Sequence, residues 1–175
     1  RLLREVSTPY WLHLEDDWDF LTIGHFVQQA THVLDHDPAL LQVVINRNYA
    51  ETTTQKLVGG VLTRTGDGFP YREHVQVEPG SPEFAALFVD KPGSTTNAYW
   101  PGFSLMPSLM RTEAMRSIGA FNPGAGFFER EFADRARALG WKTAFLDTIT
   151  AVTTGPLRSD RSASRAPNAY DLNNM

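Results

Sequence analysis

Tyr10-Trp11-Leu12-His13-Leu14-Glu15-Asp16-Asp17-Trp18 is the stretch that decides how this chain is read. A short β-favouring run stops abruptly at three acids, the pattern of a buried strand that delivers carboxylates at its carboxyl end. Successive acids at such a place repel one another and lose hydration, so a cation, solvent or hydrogen-bond donors must compensate. A divalent metal is the obvious compensation. Mg²⁺ and Mn²⁺ take one or two carboxylates and complete their shell with water and phosphate oxygens, and Glu15 and Asp17 form a suitable E-x-D pair. The competing reading is an acidic strand-to-helix turn, with Asp17 or Asp19 capping the next helix. The motif alone leaves both open.

Downstream of the acids, Ile23, Phe26, Val27, Ala30, Val33 and Leu34 recur at helical spacing, which predicts an amphipathic helix from Thr22 to about His36, ended by Asp37-Pro38. Leu41 to Ile45 reads as the next strand, with a polar loop at Asn46-Arg47-Asn48. Strand, helix, strand is an α/β signature. Two β-like runs, Leu57 to Thr63 and Tyr71 to Val77, flank Gly66-Asp67-Gly68-Phe69-Pro70 and fit a hairpin or a loop excursion. Pro79 to Thr96 reads mostly as loop. Arg111 to Ile118 and Phe128 to Leu139 read as helices ended by Gly119 and Gly140, and Trp141 to Leu146 and Ile149 to Val152 as closing strands. His25, His32 and His36 share a helical face without an H-E-x-x-H pattern and receive no role.

The chain has 175 residues, of which 42% are hydrophobic and 21% charged, enough apolar material for the core of one globular domain. Its net charge of -4 argues against nucleic acid, whose non-specific binding relies on clustered Lys and Arg. Cysteine is absent, which removes disulfides and thiolate metal sites and favours a reducing compartment such as the cytoplasm. No apolar run approaches the about 18 residues of a membrane span, so a soluble chain is expected. Arg1 to Val6 read as the last turns of a helix already under way, from which an amino-terminal truncation is expected. The partition expected is a partial catalytic domain over residues 1–155 and a mobile basic tail over 156–175.

A second constellation lies at Gly124-Ala125-Gly126-Phe127-Phe128-Glu129-Arg130-Glu131. Glu129 and Glu131 fall in the first turn of a helix, where the dipole favours negative charge and where a Gly-rich loop opens a cleft. Either can act as a general base there. The plainer reading is a charged helix in which Glu131 pairs with Arg135 and Glu129 stabilises the amino terminus.

Taken in order, the strand ending in EDD-W, the aromatic Tyr99 to Arg111 segment with its prolines, and F-E-x-E-x-x-x-R-x-x-x-x-G-W resemble the second half of a GT-A glycosyltransferase, from Tyr10 to Val152. The resemblance implies an α/β, Rossmann-related mixed sheet flanked by helices, whose nucleotide-binding βαβ half would precede Arg1. It implies a nucleotide-sugar donor, a hydroxyl-bearing acceptor (glycan, protein or small molecule) and Mn²⁺ or Mg²⁺. Asp17 would be the leading metal ligand, with Glu15 or Asp16 holding ribose or metal waters, and Glu129 the base of an inverting reaction, with a retaining reaction the alternative if Glu129 is structural. Arg158 and Arg161 would fold over the diphosphate, while Trp18, Trp100, Phe103 and Glu131 would face sugar or acceptor. Thr154 stands where many relatives place a metal-binding His. Two other readings remain: a non-catalytic sugar- or partner-binding module on the same fold, and a metal-dependent phosphate hydrolase built on the acidic strand end.

Overall fold

The computed structural model describes residues 2–46, 60–78, 80–83 and 101–153. Trp100, Thr154, Arg158, Arg161, the whole 156–175 tail and most of the Pro79 to Thr96 reading lie outside the described residues.

After a short helix α1 (Leu2–Glu5), strand β1 (Tyr10–His13) leads into the acidic turn and β2 (Trp18–Phe20). Helix α2 (Phe26–His36) and β3 (Leu40–Val44) follow, then the hairpin β4 (Val61–Arg64) and β5 (Pro70–Glu73). Strand β6 (Ser108–Arg111), helices α3 (Thr112–Ile118) and α4 (Phe128–Ala138), and strands β7 (Lys142–Leu146) and β8 (Ala151–Thr153) complete the described elements. A six-stranded sheet is ordered β1-β6-β3-β7-β5-β4, and β2 pairs separately with β8. β6 runs antiparallel to β1 and β3, whereas β3 and β7 are parallel, so the sheet is mixed.

Alternation along the strands builds two cores. Val43, Leu109 and Ala144 face α2 and pack with its Ala30, Val33 and Leu34. Met110 faces the other way and packs with Phe103, Met115, Phe132 and Ala136 beneath α3 and α4. Each inner face excludes water through apolar area, which is the main favourable term in folding. Phe132 anchors the second core, with its ring centroid 4.5 Å from that of Phe103 and 4.4 Å from that of Phe121.

Helix α2 begins at Phe26 rather than at Thr22. Leu21 N–H donates to Thr150 O at 2.8 Å, which carries the chain past β8 in extended form, and Gly24 then resists helical ordering through its backbone entropy. At the other end, Arg111 closes the structure onto α2, donating through Nε to Leu40 O at 3.1 Å and through Nη2 to Leu34 O. Arg111 therefore ends β6 and serves as the cap before α3, so that helix begins one residue later than the sequence predicts. Gly119 and Gly140 follow α3 and α4 with φ of +91° and +81°, positive angles that favour glycine.

The β4–β5 hairpin is held against α2 by the histidines. His32 Nε2 lies 3.0 Å from Asp67 Oδ1, and the Gly66 N–H reaches His36 Nδ1 at 3.4 Å. The Asp67 carboxyl is held at about 2, first by the Thr65 hydroxyl and then by His32.

Candidate active site

Register places the acidic motif. In the sheet, Trp11 pairs with Met110 and His13 with Ser108, and Met110 pairs in turn with Gln42 on β3. With a side-chain period of two, the Trp11–His13 row continues toward Glu15 on the face covered by α3 and α4. Asp16 and Asp17 form the turn into β2, and Trp18 Nε1–H donates to Glu15 Oε2 at 3.0 Å.

The turn is braced by β8. Trp18 pairs with Thr153 and Phe20 with Ala151. β8 is fastened in turn to the end of β3 by fully buried Asn46. Asn46 Nδ2 donates to Ala151 O at 3.0 Å, and its Oδ1 accepts from the Thr150 N–H at 2.7 Å and the Ala151 N–H at 3.3 Å. In the sequence Asn46 reads only as part of a polar loop.

Glu15 is half-buried, and its carboxyl is pushed up to about 7. Burial is the largest cause; the charge of Asp17 comes next, and those of Glu129 and Asp16 add to it, opposed by the hydrogen bond from Trp18. The acid at the start of α4 therefore lies within electrostatic reach of the acids at the end of β1. Glu129 Oε1 accepts the Leu105 N–H at 2.7 Å, a charge-assisted bond that ties α4 to the 103–107 segment. His13, on the same strand face as Glu15, has a buried Nε2 with no hydrogen-bond partner among the described residues. Its ring is held below the usual histidine range by burial, against an interaction with the Leu105 backbone. Sequence reading assigns His13 no role, although its strand parity with Glu15 is the signal that could have found it.

The structure corrects the expected substrate contact of Phe103. Phe103 is 1% exposed and lies among Phe121 and Phe132, so its ring fills the core and presents no face to a sugar. Glu131 is taken by Arg135, which donates to its two oxygens from Nε at 2.7 Å and Nη2 at 3.0 Å, the helical i,i+4 pair. Arg135 also donates to Ala120 O at 2.8 Å and to Ile118 O, so the fork is locked from both sides. Glu15, Asp16, Asp17, Trp18 and Glu129 are the expected site residues that fall in one region.

Among the described residues, no three His, Asp or Glu side chains gather closely enough to hold a metal ion by themselves. The oxygen donors of Glu15 and Asp17 suit a hard cation that draws the rest of its shell from water and phosphate. No helix among the described residues is long and apolar enough to cross a membrane. No protein-family model, curated protein or solved structure matches the chain.

Proposed function

We propose that this chain carries the diphosphate and acceptor-base part of a GT-A type glycosyltransferase, which moves a sugar from a nucleotide-sugar donor to a hydroxyl acceptor with inversion. The observation that supports the reading is that Glu129 is tied to the 103–107 segment, which leads into β6 beside β1: its Oε1 accepts the Leu105 N–H at 2.7 Å, and its charge is among those that raise the Glu15 carboxyl. Inverting transfer needs carboxylates that can hold a cation at the leaving diphosphate and a separate carboxylate near the incoming hydroxyl, and these two elements offer both donor sets.

In this reading Asp17 is the leading ligand of Mn²⁺ or Mg²⁺, and Glu15 and Asp16 hold ribose or metal waters. When bound, the cation neutralises charge developing on the leaving nucleoside diphosphate. Glu129 removes the proton of the acceptor hydroxyl as that oxygen attacks the anomeric carbon, and the bond to the diphosphate oxygen breaks on the opposite side. Trp18, tethered beside Glu15 by its indole N–H, is the aromatic surface for the sugar.

The test is calorimetric titration of Mn²⁺ with UDP, GDP and their sugars, on this chain and on the longest natural form that carries it. Metal-dependent nucleotide binding is expected in the longer form, with Asp17→Ala abolishing it and Glu129→Gln sparing it while eliminating transfer. Absence of metal-dependent nucleotide binding in that form, or an active Glu129→Gln variant, overturns the assignment.

A further inference from the structure

Gln42 is a polar residue in the middle of an apolar strand, and it is fully buried. Burying an amide is costly unless its donors and acceptor are satisfied. Here every partner of the side chain lies in one short stretch. Gln42 Nε2 donates to Ser104 O and, at 2.7 Å, to Ser108 Oγ, while its Oε1 accepts the Ser104 N–H at 3.1 Å. The amide thus pairs with both backbone groups of Ser104, as a neighbouring strand would.

The next two residues continue the pattern. The Leu105 N–H donates to Glu129 Oε1 at 2.7 Å, and the Met106 N–H lies 3.3 Å from Ser104 Oγ. Ser104 is therefore the fixed point from which the Leu105 N–H is aimed, and Gln42 is what fixes it. An apolar side chain of similar volume would fill the same space without holding that backbone.

We infer that Gln42 is a positioning residue for Glu129: by clamping Ser104 it aims the Leu105 N–H that orients the Glu129 carboxylate. The inference rests on the proposed role of Glu129 for its catalytic consequence, while the clamp itself has a separate readout.

That readout is the Leu105 amide resonance in isotope-labelled protein, compared among wild type, Gln42→Met, Ser108→Ala and Glu129→Ala. Loss of the acceptor in Glu129→Ala defines the displaced position of the resonance. Gln42→Met is expected to move it the same way, whereas Ser108→Ala, which removes a partner of Gln42 but leaves the Ser104 pairing, is expected to leave it near wild type. In transfer assays Gln42→Met should lower kcat by roughly tenfold to a hundredfold with KM for the donor nearly unchanged, as misplacement of a reacting group does. An unmoved Leu105 resonance in Gln42→Met, or a raised KM with unchanged kcat, overturns the inference. If wild type transfers no sugar, the functional reading fails and the resonance still decides the clamp. Should Gln42→Met fail to fold, Gln42→Asn keeps a neutral amide there but shortens the side chain so that it withdraws from Ser104, and is read in the same way.

Discussion

Replacing Glu15 by Gln should stabilise the metal-free protein at pH 8 and leave its stability unchanged near pH 4. The Glu15 carboxyl moves from 4.5 to about 7 on folding, with burial first and then Asp17, Glu129 and Asp16 disfavouring its charge. Between those values the folded state holds a proton that the unfolded state has released, so unfolding free energy falls as pH rises from 4.5 to 7. Applied in full, that displacement corresponds to about 3 kcal/mol, and screening of a half-exposed carboxyl reduces it to about 1–2 kcal/mol. Gln retains an oxygen for the Trp18 indole N–H and carries no charge, so it escapes the penalty that wild type bears above pH 7. Urea unfolding in the presence of a chelator at pH 4, 6 and 8 measures the difference. Mn²⁺ at pH 8 should narrow it, by stabilising wild type more than the variant through binding to the folded state. A variant no more stable than wild type at pH 8, or an equal gain at pH 4 and pH 8, would refute the electrostatic account and leave packing as the cause.

Asn46→Leu removes the acceptor of the Thr150 and Ala151 N–H groups and the donor to Ala151 O, and it should cost about 3 kcal/mol or more because buried backbone groups lose their partners. Hydrogen exchange should show the amides of Thr150 and Ala151 deprotected; unchanged protection would mean that β8 is held by something else. Phe103→Ala should destabilise the fold by about 3–5 kcal/mol through the cavity left against Phe132 and Phe121. A loss below about 1 kcal/mol in denaturant unfolding would return Phe103 to the surface and to a role against the sugar.

The strand at Tyr10–His13, the α2 and α4 helices, the hairpin turn at Gly66 to Pro70 and the closing strand β7 were legible in the sequence because each is a local pattern. Period two or 3.6, a turn residue needing positive φ, and a cluster of acids at a strand end are all visible within a few residues. The pairing of Glu131 with Arg135 was legible for the same reason, as an i,i+4 pair.

Which elements became neighbours was settled by tertiary packing. Ser108–Arg111 sits between β1 and β3 as an antiparallel strand, although its sequence reads as part of an aromatic segment broken by prolines. Asn46 and Gln42 look like ordinary polar residues beside or within a strand until their amides meet Ala151 and Ser104 from distant parts of the chain. Periodicity tells a side chain which face it occupies, but its partner is set when the sheet closes, by contacts between segments that share no local signal. The acids of Glu15 to Asp17 are readable from the chain alone; that Glu129 bears on them follows from tertiary packing, which ties Glu129 to the Leu105 backbone.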